Sequence, residues 1–284
     1  MLYFDCHAKI GQRPLKHKRT PWSTEHLLAD MDLAEISGAL VSHAVAHSYD
    51  PRYGNARLAG ELAKAPERLF GLWCLLPLAS PDFYVAGDDL LRAMAAADIR
   101  AVRCVAGNYS LHQEMMGPTL AALEEAEILL LLEAGWATDD FFAFFHDLLT
   151  RHPHLPVLLT DHTWSQQRYV HRLMQLHENL HLEFSSYQIN RGIEYYAAEF
   201  GAERLLFGTG GTEKSPGAAR TYIDYAQISA AAKRQIAGEN LRRLLKGQGP
   251  AVAAAPARSE DPWVVDVRAG TPQRGLVIDA HAHV

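Results

Sequence analysis

Eight short β-type runs alternate with amphipathic helical stretches from the first residue to about Leu245, and no other feature restricts the fold so sharply. The runs are Leu2 to Cys6, Gly38 to His43, Leu69 to Leu76, Ala101 to Val105, Ile128 to Glu133, Pro156 to Thr160, Leu180 to Ser185 and Arg204 to Gly208. Strands spaced by helices pair in parallel, because a helical crossover returns the chain to the same end of the sheet. Between them, "STEHLLADMDLAEI" opens a helix at Ser23, and "NARLAGELAKAPERL" ends one near Pro66. No glycine-rich dinucleotide fingerprint follows the first run, which disfavours an open doubly wound sheet. The pattern predicts an α/β fold, a (β/α)8 TIM-type barrel over residues 1–245, closed by "AAAKRQIAGENLRRLLK". A chain of 284 residues with 48% hydrophobic content can bury one such core but has no room for a second complete one.

After the barrel the texture changes. Residues 246–275, opening "GQGPAVAAAPARSEDP", are rich in Gly, Ala and Pro and read as a linker. Residues 276–284, "LVIDAHAHV", regain strand character. The net charge of -6 comes without a block of like charges, so neither nucleic acid nor an anionic membrane is an expected partner. The densest basic cluster, Arg13 to Arg19, reads as a solvated loop. The first residues lack a secretory signal and no run is long enough to span a bilayer. Cys6, Cys74 and Cys104 are odd in number and set in apolar runs, as expected of buried thiols in a reducing compartment. The expectation is a soluble cytoplasmic protein.

Chemistry in such a barrel belongs at the C-terminal ends of the strands. The first run leads into Asp5, His7 and Lys9, alternating so that all three would face the mouth. The fifth ends at Glu133, the sixth at Asp161 and His162, and the seventh at Ser185, Ser186 and Tyr187. The eighth leads into "FGTGGTEKS", which nearly spells a phosphate loop but has Glu213 where that loop needs glycine. Free backbone N–H groups at Gly210 and Gly211 could hold an anion, an idea ranked below ordinary turn chemistry. His43, His47, His146, His152, His154 and His177 read as structural or surface residues.

The pieces "FDCHAKIG", "LLADMDLAEISGALV", "NARLAGELAKAPERLFGLWCLLP", "AERLLFGTGG" and "IAGENLRRLL" together resemble the amidohydrolase-related family, in the branch of hydrolases and aminocarboxymuconate-semialdehyde decarboxylase-like enzymes. The resemblance covers nearly all of residues 1–245. It implies a metal-dependent barrel that binds a divalent ion such as zinc through two imidazoles on strand one, one on strand five and an Asp after strand eight. A His on strand six then assists catalysis. This chain departs from that set: Lys9 stands at the second strand-one imidazole, Glu133 at the strand-five His and Gly210 at the strand-eight Asp.

An ammonium is no metal ligand, so a divalent metal is expected to be held weakly or not at all within residues 1–245. His7, Glu133 and His162 could supply three ligands, opposed by Lys9. A better electrostatic fit lets Lys9 replace the cation, paired with Glu133 or Asp5. The assigned catalytic set is His162 as general acid/base with Glu133, Lys9 and Asp5, and the metal candidates are His7, His281 and His283. The last two belong to "IDAHAHV", which resembles the family's first strand intact. Residues 276–284 are therefore expected to begin a second amidohydrolase domain, or else to lend His281 and His283 to a barrel mouth.

The resemblance implies a hydrolase or decarboxylase of small carboxylated or cyclic substrates with its metal site largely lost. The alternative is a non-catalytic barrel that binds or stabilises an active amidohydrolase domain or subunit, and a homo-oligomer is also open. A further option keeps the pocket for an anionic ligand, held by Lys9, Arg103 and the strand-eight glycines.

Overall fold

The computed structural model describes residues 1–12, 21–75, 87–105, 113–134 and 139–255. Eight parallel strands lie in sequence order: β1 (Phe4–Ile10), β2 (Gly38–His43), β3 (Leu69–Cys74), β4 (Ala101–Val105), β5 (Leu129–Glu133), β6 (Val157–Thr160), β7 (Leu180–Glu183) and β8 (Leu205–Leu206). The ring closes where β1 meets the segment after β8. Cys6 N donates to Phe207 O at 2.9 Å and Gly210 N to His7 O at 2.9 Å, and Ala8 bridges Gly211 in parallel. The expected TIM-type barrel is present.

Local chemistry sets the helices. Ser23 caps the helix Thr24–Leu33 and Asp50 caps Pro51–Leu62, where proline at the first turn removes an amide that would lack a partner. That second helix ends at Leu62, short of the expected Pro66. The chain closes through Ala230–Leu244 with a wide turn at Gln235–Glu239, and the Asn240 amide donates to Ala202 O and Leu205 O. Among the described residues no helix is long and apolar enough to cross a membrane. The three cysteines are buried and unbridged.

Alternation along the strands sorts their side chains into two cores. Leu40, Phe70, Leu72, Ala101, Leu129, Leu131, Leu158 and Leu206 fill the barrel with Phe4 and Cys6, and Leu241 and Leu245 cover this core. Their neighbours Val41, Val102, Leu130, Leu132, Leu159, Leu182 and Leu205 pack outward against the helices. β1 breaks the rule once. Phe4 and Cys6 belong to the inner core, but Ala8 and Ile10 belong to the outer one, and the pairing with β2 shifts between Asp5 and Ala8. Such an irregularity reverses which face later residues occupy. His7 and Lys9 therefore share the inner face, and Asp5 does not.

Residues 246–255 lie against the barrel. Gln248 Nε2 donates to Asp98 O, the Pro250 ring sits by Gly38, and Ala254 N donates to Ser37 Oγ. The rest of the expected linker, the stretch 276–284 with His281 and His283, and the Arg13–Arg19 cluster lie outside the described residues.

Candidate active site at the barrel mouth

Two positions above the apolar layer, the inner face turns polar. Ser42, Arg103, Glu133, Thr160 and Glu183 follow Leu40, Ala101, Leu131, Leu158 and His181 at the next inward step. On the β1, β4 and β5 side, Arg103 is only 1% exposed. Its Nη2 donates to Glu133 Oε2, its Nη1 reaches Ser42 Oγ at 3.4 Å, and its Nε has no partner among the described residues. Lys9 Nζ lies 3.5 Å from the same Glu133 oxygen and 3.9 Å from Glu213 Oε2. Burial works against the Glu133 carboxylate, yet Arg103 and Lys9 hold its pKa below the usual value. Of the two partners expected for Lys9, the structure thus brings Glu133.

The β6 and β7 side carries the opposite charge. Asp161 follows β6 with φ at 55°, and its Oδ1 accepts from Lys214 Nζ at 2.7 Å and Ser186 Oγ at 3.2 Å. Glu183 is fully buried and accepts from Asp161 N at 2.8 Å and from Ser185 N and Oγ. A side chain at Gly208 would place its Cβ 2.7 Å from Glu183 Oε2 and 3.1 Å from Cys6 Sγ, so glycine is required for this approach. Burial and the charge of Asp161 push the Glu183 pKa up. Against its own burial, Asp161 is held well below the usual range by His7, Lys214 and Lys9.

His7 stands between the halves. Its Nε2 lies 3.3 Å from Asp161 Oδ2 and its Nδ1 lies 4.0 Å from Glu183 Oε1. Among the described residues neither ring nitrogen has a hydrogen-bond partner, and neither has Asp161 Oδ2, although all are buried. Burial drives the His7 pKa down to about 3, so the imidazole is neutral at neutral pH.

Two other expected site residues face elsewhere. Asp5, turned by the β1 irregularity, holds the β1–β8 seam: Oδ1 accepts from His7 N at 2.9 Å and Thr209 N at 3.0 Å, and Oδ2 accepts from Thr209 Oγ1. Burial raises its pKa to about 7. His162 packs its ring on Tyr187 at 4.7 Å, with both nitrogens unpartnered and its pKa lowered to about 3 by burial. It feels Asp161 and Lys214 through charge. The idea of free amides at Gly210 and Gly211 is overturned, because Gly210 N donates to His7 O and Gly211 N to Thr209 Oγ1.

Reasoning from the sequence singled out neither Glu183 nor Lys214. The signal for Glu183 lay in "LHLE", where Leu180 and Leu182 take the outer face and leave the Glu at the inward strand end. His47, read as structural or surface, sits by the mouth with Nε2 2.9 Å from Ser42 Oγ, and its pKa is driven well down by burial and by Arg103. The structural reading of the others matches their contacts: His152 with Glu124, His146 with His177, and His43 with Val45 N.

Among the described residues, Lys9, Glu133 and Gly210 stand at three of the positions where the family resemblance implies ligands. A different set converges instead. One ligand atom each from His7, Asp161 and Glu183 lies within 4.8 Å of the other two. A neutral imidazole and two carboxylates, with buried lone pairs left unused, fit a divalent cation, and the oxygen majority favours a hard ion.

A family model described as amidohydrolase matches residues 4–247. The chain belongs to the amidohydrolase family. Solved structures share its fold at low identity. The 5-carboxyvanillate decarboxylase of Sphingomonas paucimobilis has a TM-score of 0.65 at 15% identity, over 86% of this chain and 99% of that one. A 2,6-dihydroxybenzoate decarboxylase from Rhizobium has a TM-score of 0.62 at 18% identity, over 86% and 98%. The 5-carboxyvanillate decarboxylase of Novosphingobium aromaticivorans, in complex with manganese and 4-hydroxy-3-methoxy-5-nitrobenzoic acid, has a TM-score of 0.69 at 13% identity, over 86% and 96%. No curated protein matches the sequence. The last of these neighbours binds manganese.

Proposed function

We propose that this amidohydrolase barrel decarboxylates a small carboxylated aromatic substrate, with a divalent cation held by His7, Asp161 and Glu183. The observation that carries the reading is the placement of unpartnered donor atoms on His7 and Asp161 beside the buried cations Arg103 and Lys9. Decarboxylases among the structural neighbours, one with bound manganese, support the reaction class. A hydrolytic reaction on a carboxylated substrate is the related family chemistry.

When bound, the ion would polarise the substrate and stabilise the negative charge that builds on it as carbon dioxide departs, the ring carbon taking a solvent-derived proton in place of the carboxyl group. The side chains do the rest. Arg103 and Lys9 hold anionic oxygen, Glu133 balances their charge while no substrate is bound, and Lys214 fixes Asp161. Asp5 holds the seam that aims His7. His162, the general acid/base candidate, packs on Tyr187 and follows Asp161 in the chain. Manganese or magnesium suits the two carboxylates better than zinc.

One observation favours a second reading, a non-catalytic barrel that binds or stabilises an active amidohydrolase domain or subunit. Lys9 occupies the second strand-one position, and its charge is already met by Glu133. The test is metal analysis of the purified protein together with carbon dioxide release from a panel of hydroxybenzoates, with and without chelator. Release that chelator abolishes and manganese restores supports the decarboxylase. A protein that takes up no manganese and turns over none of the panel sinks it in favour of the scaffold.

A further inference from the structure

The mouth is electrically divided, and the division orients whatever enters it. Among the described residues, Arg103 and Lys9 share one Glu133 oxygen on the β1, β4 and β5 side, with exposed Glu213 3.9 Å from Lys9 at its rim, while Asp161 pairs with Lys214 on the β6 and β7 side, where Glu183 also feels the Lys214 charge. Neutral His7 lies between them. A cation belongs on the second side, and an anion on the first.

Geometry on the first side says how the anion would be held. The guanidinium edge formed by Nε and Nη2 accepts a carboxylate through two parallel hydrogen bonds. Glu133 uses only Nη2, and Nε remains buried without a partner. The unused donor belongs to a side chain 1% exposed, so water does not satisfy it cheaply. The three groups also differ in freedom. Arg103 and Lys9 side chains are 1% and 11% exposed, whereas Glu133 is 23% exposed, so the cations are the fixed part and the carboxylate the part that can yield.

We propose that Arg103 and Lys9 form the receptor for one substrate carboxylate, with the Glu133 carboxylate as a built-in competitor for the same two cations. The proposal rests on the reading of this mouth as a substrate site. It adds that the site takes a monoanionic carboxylate, directs it toward β4 and β5, and leaves the remainder of the molecule toward His7. Glu133 sets the affinity, because an incoming carboxylate gains the Nε donor but must share or displace an existing ion pair. Neutral molecules of the same shape gain nothing from the exchange.

Calorimetric titration of the full chain with benzoate, and with benzamide as its neutral counterpart, tests this with chelator present and again with manganese added. Benzoate is expected to bind in both conditions, and benzamide to bind at least about tenfold more weakly. Lys9→Met and Arg103→Met are each expected to weaken benzoate about tenfold or more and leave benzamide unchanged. Glu133→Gln is expected to tighten benzoate about threefold or more, since the competitor is gone. Lys9 is partly exposed, so Lys9→Met decides the matter if Arg103→Met does not fold.

Benzoate affinity unchanged by Lys9→Met, weakened by Glu133→Gln, or undetectable in the wild-type chain overturns the receptor. Failure of the decarboxylase reading looks different. Benzoate then titrates as described, while no hydroxybenzoate is turned over with manganese present.

Discussion

The lower and upper halves of the barrel interior are built from the same strands by the same alternation, yet they do opposite things. In β5, Leu129 and Leu131 fill the closed core, and Glu133, the next inward residue, stands in the mouth. Ala101 and Arg103 repeat the change in β4, and Leu40 and Ser42 repeat it in β2. Leucine at the lower level stabilises by leaving water, with no directional demand on its neighbours. A buried guanidinium at the upper level must find partners or remain costly, and the Arg103 Nε and both His7 nitrogens have none. The same backbone therefore supports a layer satisfied within itself and, one step higher, a layer satisfied only by something added.

The largest expected effect breaks the lower layer. Leu131→Ala removes a fully buried side chain and should cost about 3 kcal/mol of unfolding free energy, read from denaturant titration. The upper layer should respond in kind, by losing ligand and not fold. Asp161→Asn should weaken manganese binding on the order of a hundredfold, measured by calorimetry, with the melting temperature of the metal-free protein little lowered. Unaltered manganese affinity in Asp161→Asn would remove this residue from the cation site and unsettle the division between the layers.

That division was legible in part. β2 and β4 occupy the very residues that hydrophobic runs predict, because their apolar side chains repeat without interruption. β1 runs longer than its apolar residues suggest, because Asp5, His7 and Lys9 are strand residues that look like loop. Alternation alone then puts all three on one face. The register shift after Asp5 defeats that reading, and pattern carries no sign of it since Phe4, Cys6, Ala8 and Ile10 look equally buried. Glu133 and Lys9 stand out in the sequence as charges at apolar strand ends, and the structure puts them 3.5 Å apart. Glu183 was lost in "LHLE", where His181 makes the strand polar at both levels.

His181 sharpens the comparison, since it is the imidazole that the lower layer does tolerate. Burial and the nearby Arg243 lower its pKa from 6.5 to about 4. A depressed imidazole adds stability that is fully present above the unfolded value of 6.5 and is lost as pH falls through about 4. Between roughly pH 8 and pH 5 this one group should remove on the order of 2 kcal/mol. His181→Leu should make that limb shallower by this share in a stability-versus-pH curve recorded with chelator, the remaining slope belonging to His7 and His162, and an unchanged limb would assign the acid sensitivity to those groups.

The smallest effect tests what Lys9 does in the upper layer. Its ammonium lies 3.5 Å from Glu133, and it helps to hold Asp161 ionised across the mouth. A cation bound by His7, Asp161 and Glu183 meets that charge as repulsion, so the wild-type chain should bind metal more weakly than its donor set allows. Lys9→His removes the ammonium and adds a donor next to His7 on the same inner face. Zinc and manganese affinity should both rise, by about tenfold, with zinc gaining more because the donor is nitrogen. The replacement also strips Arg103 of its companion, so benzoate should weaken in the same variant. Opposite changes in metal and benzoate affinity are what a divided mouth requires. If both weakened together, Lys9 would be holding the whole layer in place, and the two sides would have to be treated as one.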